Sequence, residues 1–276
     1  MTFWHSICKI TITNYFTMKK LLFIGALIGF TVATTSTTVK YPSISNSAFK
    51  TGEVLRYRVT YGFVDAGEAI MEVKSTTKKG DNRPLFHVVG TGRTLGGFNA
   101  IYKVNDKYES YIDQQSIMPW LFIRDVNEGG YKVNQEYVFN QDKYTVNTGE
   151  KSFKTPMGIQ DMVSSFYKAR TLNFEGMKKG QTFDFKTFMD NEVFNLKIKY
   201  VGDENIKIRK GHFKCHKFVP VVQTGRYFKN EEDVNFWVTA DKNKIPVLVK
   251  AKIPVGMVKM HLVEWSGLKN ELTSKI

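Results

Sequence analysis

The few side chains able to do covalent or metal chemistry stand close together near the C-terminal third of the chain. Residues 211–218, GHFKCHKF, place Cys215 between His212 and His216, two of only five histidines. A thiol flanked by imidazoles could be a metal site or an activated nucleophile. The residues around it alternate as a β-strand does, and a strand sends successive side chains to opposite faces. His212, Lys214 and His216 then share one face, and Phe213, Cys215 and Lys217 share the other. Zinc sites use three or four ligands. Only His212 and His216 could converge, about 6.6–6.8 Å apart along the strand. The expectation is a strand with a buried cysteine acting as a small hydrophobe, with no metal and no cofactor. His212 and His216 are the residues a metal would have to use.

The acids between 106 and 128 are a second candidate. Asp106, Glu109, Asp113, Asp125 and Glu128 could supply the two carboxylates of glycoside hydrolysis. Parity separates Asp106 from Glu109, and the others fall at strand ends, so ion pairs and turn caps are the expected roles. Nucleophile-elbow, zincin, Walker and dinucleotide-binding patterns are missing. Gly90-Thr91-Gly92 and Gly96-Gly97 read as isolated turn or bulge glycines. No catalytic residue is assigned. A hydrolase using carboxylates near 106–128 stays an alternative function.

Aromatic residues, 14% of the chain, exceed what one sheet face needs. They either fill a thick core between two sheets or line an apolar cleft for a lipid-like ligand. The candidate ligand-binding residues are Trp120, Tyr131, Tyr137, Trp237 and Trp265.

The elements that must position these residues are strands. Leu55, Tyr57, Val59 and Tyr61 alternate with Arg56, Arg58 and Thr60, and Phe194, Leu196, Ile198 and Tyr200 with Asn195, Lys197 and Lys199. This period of two predicts half-buried antiparallel strands, about a dozen along the chain. Turn residues such as Lys79-Gly80-Asp81-Asn82 and Asn127-Glu128-Gly129-Gly130 punctuate them. One segment changes period. Ile159, Met162, Val163, Phe166 and Arg170 recur at helical spacing and predict one amphipathic helix over about 159–171. Its apolar stripe needs the concave face of a curved sheet to lie on. The fold class expected is mainly β, an antiparallel curved sheet or clam-like barrel with that helix packed on it.

The N-terminal end reads as an address. Met18-Lys19-Lys20 is a basic start, Leu21 to Ala33 is an apolar run of 13 residues, and Thr34, Thr35 and Ser36 are small. That is a secretory signal peptide, since a membrane-spanning helix needs about 20 residues. The expected domain plan has a mis-assigned extension over 1–17, a signal peptide over 18–36, a loose lead-in over 37–48 and a single β domain over 49–270. Cys8 lies in the extension, so the exported chain keeps one cysteine and no internal disulfide.

The charge is +14, from 40 Lys and Arg against 26 Asp and Glu. Lys9, Lys19 and Lys20 are the only charges in residues 1–35, which leaves 37 basic and 26 acidic residues, +11, beyond the leader. Behind a signal peptide the expected partners are lipid or an anionic envelope polymer and not nucleic acid, with no stable transmembrane segment after cleavage. No protein partner is identified.

The order of motifs resembles a known family. Gly52-Glu53-Val54-Leu55-Arg56-Tyr57 leads to Tyr61-Gly62 and Ala66-Gly67, then to Asp106-Lys107-Tyr108-Glu109-Ser110. Asp161-Met162-Val163-Ser164-Ser165-Phe166-Tyr167 carries the helix, and Trp237-Val238, Ile245-Pro246-Val247 and Ile253-Pro254-Val255-Gly256 follow. Over about residues 49–268 this is similar to an exported bacterial family catalogued as domain of unknown function 3108. The resemblance implies a mostly β domain in the periplasm or cell envelope of a Gram-negative, Bacteroides-like bacterium. It implies no reaction and transfers no catalytic residue. The function expected is a non-enzymatic envelope protein that binds an apolar or anionic component, lipid or glycan. The alternative outside enzymology is a structural or assembly factor acting through a protein partner.

Overall fold

The structure, a computed structural model, describes residues 41–221, 233–253 and 256–276. The N-terminal extension, the signal peptide and the first residues of the lead-in lie outside the described residues.

Among the described residues the alternating pattern folds as fifteen strands, β1 (Val54–Tyr61), β2 (Val64–Lys74), β3 (Lys79–Gly80), β4 (Arg83–Thr94), β5 (Asn105–Asp113), β6 (Pro119–Glu128), β7 (Tyr131–Asn140), β8 (Thr145–Asn147), β9 (Ser152–Lys154), β10 (Thr182–Met189), β11 (Glu192–Ile208), β12 (Gly211–Pro220), β13 (Val234–Thr239), β14 (Pro246–Ile253) and β15 (Gly256–Ser266). The excess over a dozen comes from β3, β8 and β9, whose two or three residues are too short to show a period. One antiparallel sheet contains them in the order β10-β11-β12-β13-β14-β15-β1-β2-β4-β5-β6-β7-β8-β9, with β3 beside β4. The pairing of β1 with β15 brings the two halves of the chain side by side at mid-sheet.

The sheet curls until its two edges meet without pairing as strands. Phe153 on β9 and Phe188 on β10 have ring centroids 5.4 Å apart. Gln160 closes the seam with its backbone, donating to Lys186 O and accepting from Phe188 N, each at 2.8 Å. The result is an open barrel with a buried trough.

The helix lies in that trough. It runs Met162–Arg170 and is α2, a four-residue turn of helix, α1 (Phe98–Ile101), having come before it. It starts later than the apolar spacing suggests because Asp161 caps it. The Asp161 carboxylate accepts from Ser164 N at 2.7 Å, and Ser164 Oγ accepts from Asp161 N at 2.8 Å. That reciprocal box stops the helix from extending back to Ile159. Val163 and Tyr167 then join Phe86, Val88, Ile112, Phe122 and Phe139 from the strands in the largest buried cluster.

Three polar contacts fix the helix along its length. Ser110 on β5 donates to Asp161 at 2.6 Å, and Ser165 meets Thr187 on β10 at 2.9 Å. At the far end Arg170 donates to both Glu53 oxygens, at 2.6 and 2.7 Å, and to Asn243 O at 3.0 and 3.1 Å. Arg170 and Glu53 are both buried. The lead-in is tied down at its end, with Ala48 and Phe49 fully buried and Ile44 N donating to Gln115 O at 2.7 Å.

Candidate functional site

A cavity of about 140 Å³ lies between α2 and the middle of the sheet. Its floor can be read from the register. Tyr57, Ala69 and Gly92 are cross-strand partners on β1, β2 and β4, and so are Leu55, Met71, Gly90 and Tyr108 on β1, β2, β4 and β5. Side chains directly opposite in an antiparallel pair share a face. Phe236, Pro246, Val249 and Met260 wall one side, and Met162, Val163 and Phe166 of α2 form the roof.

The space exists because two floor positions have no side chain. Gly90 and Gly92 sit inside β4 at the parity that sends Phe86 and Val88 into the core. They are therefore not turn or bulge glycines, as their spacing suggests, but inward gaps in a straight strand. A glycine within a strand marks a close approach or a space for another group. A Cβ at Gly90 would stand 3.0 Å from Met71 Sδ. The lining surface is almost wholly apolar although Tyr57, Thr91 and Tyr108 contribute to it, and the buried Tyr57 Oη has no hydrogen-bond partner. Burial raises the Tyr57 phenol well above its ordinary range, so it stays a neutral hydroxyl.

The Tyr57–Ala69–Gly92 row continues on β5 to Asp106. Asp106 and Glu128 are each 2% exposed and lie side by side. As two carboxylates they would leave Asp106 Oδ2 and both Glu128 oxygens without a donor. Burial, and for Glu128 the neighbouring Asp106, pushes both acids upward. One proton shared between them supplies the missing donor. Arg124 lies on the same face, donating to Gln135 at 2.5 Å and to Asp190 at 2.7 Å. Two acids in mutual contact suit proton sharing. Cleavage of a glycosidic bond wants them about 5 Å apart or more, on either side of a sugar.

The other acids hold structure together. Asp113 pairs with Arg83 and accepts from Gln115 N and Ser116 N, closing the β5–β6 turn. Glu109 contacts His87 at 2.6 Å and Lys107 at 2.5 Å. Asp125 is exposed, opposite Lys107.

The aromatic candidates fall in five separate places, none of them on the cavity wall. Tyr137 is buried between Phe122 and Phe188, and its hydroxyl donates to Gln135 at 3.0 Å. Trp120 covers Gly80 and meets Tyr41 edge-on. Trp237 follows cavity-lining Phe236 and so takes the opposite face, where Lys217 and Lys250 lie 5.1 and 4.8 Å from its ring. Its Nε1 donates to Glu204 at 2.7 Å. Trp265 packs on Phe213, and Tyr131 is 47% exposed at the start of β7. What sequence reasoning missed is the floor, built from Gly90, Gly92 and Ala69. Gly-x-Gly at one parity within an apolar run was the available signal.

Cys215 is buried, and burial with nearby carboxylates pushes its thiol up to about 12. A thiol held there is not a nucleophile at neutral pH. His212 is exposed, and His216 sits 2.6 Å from Asp203. Among the described residues no three His, Cys, Asp or Glu side chains group as a metal site would.

The sequence pattern of DUF3108, described as a protein of unknown function, matches residues 56–263. No curated protein matches the chain. Among solved structures, a β-barrel-like protein of domain of unknown function DUF1849 from Brucella abortus is 9% identical with a TM-score of 0.50. The alignment covers 78% of this chain and 96% of that one. A hypothetical protein from Chlamydia trachomatis is also 9% identical, with a TM-score of 0.35 over 79% of this chain and 87% of that one. A DUF1089 family protein from Pseudomonas aeruginosa is 9% identical, with a TM-score of 0.30 over 83% and 95%. The first likeness shows the β-barrel-like fold and nothing about activity. The other two are too distant to carry an argument.

Proposed function

The chain belongs to DUF3108, a family of unknown function, and on that premise we propose that it is an exported, non-enzymatic envelope protein that holds an apolar, lipid-like ligand between α2 and the sheet. The observation that carries this reading is the cavity with Gly90 and Gly92 in its floor and Met162, Val163 and Phe166 in its roof. A well-packed core has few voids larger than a water molecule. A space of about 140 Å³ is on the order of one that takes up benzene. It is smaller than a pocket for a whole drug-sized ligand. It suits one segment of an acyl or isoprenoid chain.

Electrostatics supports the same reading. The acids nearest the floor are both pushed toward the neutral form, which lowers the charge held beside an apolar ligand from two toward one. Export rests on the basic start, 13-residue apolar run and small residues of 18–36. No helix among the described residues is long and apolar enough to cross a membrane.

The test is native purification from the exporting cell, organic extraction and mass spectrometry. A stoichiometric lipid or isoprenoid is expected. An extract with no bound small molecule, from protein that also takes up no fluorescent fatty acid, would sink the reading.

A further inference from the structure

A second feature lies at one end of the sheet. Of the nine large apolar side chains exposed among the described residues, five sit on three loops there. Phe63 and Val64, at the β1–β2 turn, are 99% and 58% exposed, and Ile101 and Tyr102, closing α1, are 82% and 41% exposed. The fifth is Tyr131, at the β6–β7 turn.

These loops are neighbours. The Tyr61 ring beneath Phe63 lies 6.3 Å from the Phe98 ring of α1. Gly129 N donates to Lys103 O at 2.8 Å, which joins the β6–β7 turn to the α1 loop. Gly129 has a φ of +58, and a Cβ there would strike the Tyr102 ring. Only glycine lets Tyr102 lie across this turn.

The surroundings are basic. Arg93, Lys103, Lys132 and Lys252 are exposed next to the three loops, and Arg58 and Lys259 stand on the strands just below. The acids at this end are Asp65 and Glu68, paired with Arg58 and Arg93, and the buried Asp106 and Glu128, which leaves Lys103, Lys132 and Lys252 as the exposed surplus. The charge at this end therefore has the sign of the whole chain, +14.

We propose that this end docks on an anionic lipid surface, with Phe63, Val64 and Ile101 seated at the headgroup boundary and the basic residues on the headgroups. Apolar and aromatic side chains above a ring of Lys and Arg match the layered chemistry of a bilayer interface. The apolar groups crown separate turns interspersed with exposed Lys and Arg, whereas the core of a protein contact is depleted of charged residues. This surface is separate from the cavity and stands or falls without it.

The experiment is sedimentation of the purified protein with phosphatidylglycerol–phosphatidylethanolamine vesicles and with phosphatidylcholine vesicles. Binding to the anionic vesicles is expected to be at least about tenfold tighter and to weaken as salt rises. The Phe63→Asp/Ile101→Asp double variant alters only exposed side chains, and it should lose at least about tenfold in vesicle affinity. Wild type that ignores anionic vesicles, or a double variant that binds them as well as wild type, would overturn the proposal. So would lipid-free self-association that the double variant abolishes, since the tip would then be a protein contact.

Discussion

An empty apolar cavity weakens the fold that contains it, and filling it should be measurable. Core truncations cost about 24 cal/mol for each Å³ of cavity left behind. For the space between α2 and the sheet, about 140 Å³, that is about 3 kcal/mol. A ligand that fills the space recovers part of this. So does Ala69→Met, because Ala69 faces Gly92 across the strand pair and an unbranched side chain can follow an irregular gap. In a chain of this length 1 kcal/mol moves the melting temperature by roughly 2–4 °C. Scanning calorimetry of protein as purified and after organic extraction should therefore show a fall of several degrees, up to about 10 °C. Ala69→Met should raise the melting temperature of the stripped protein and remove its response to added fatty acid. The reasoning fails if native and stripped protein melt together while Ala69→Met destabilises by more than about 1 kcal/mol. That pair of results is what overpacking of an already filled core gives.

Two further outcomes follow from the buried charges. Arg170→Met should cost about 3–5 kcal/mol in urea unfolding, because Glu53 is left fully buried with no cation; the Glu53→Leu/Arg170→Met double variant should regain at least half of that, and strict additivity would refute the coupling. The shared proton of Asp106 and Glu128 fixes a pH dependence: with both acids raised in the folded state, the native protein binds more protons than the unfolded chain above the ordinary carboxylate range. Stability should then fall as pH rises from about 4.5 toward the raised value, by at most about 1.4 kcal/mol per pH unit. Glu128→Gln should flatten that slope, and a variant with the wild-type slope would show that the pair does not share a proton.

Much of the fold was legible because strands and helices impose different periods. Leu55 and Tyr57 against Arg56 and Arg58 specify a strand and its inward face, since only one parity can be buried in a sheet with water on its other side, but a register shift between Val59 and Thr60 buries Thr60 instead of Tyr61. Met162, Val163, Phe166 and Arg170 specify a helix with one stripe. Parity also separated Cys215 from His212 and His216, because that separation is local to one strand. The cap at Asp161 was less visible: the Asp-x-x-Ser spacing was present, but the apolar spacing ran on to Ile159.

The sequence by itself determined that the fold is built from half-buried strands, where the one long helix forms and that the chain has a basic surplus. These depend on residues within a few positions of each other. Tertiary structure alone decided what meets. Asp106 and Glu128 lie side by side, buried, because register sets the end of β6 beside the start of β5. Glu53 and Arg170, 117 residues apart in the chain, form one ion pair because α2 is folded into the trough. Gly90 and Gly92 became the floor of a cavity because a helix roofs them, and Phe63, Ile101 and Tyr131 came to one end of the sheet because their three turns join strands there. Contacts of that kind depend on strand order and curl, which a period of two does not encode.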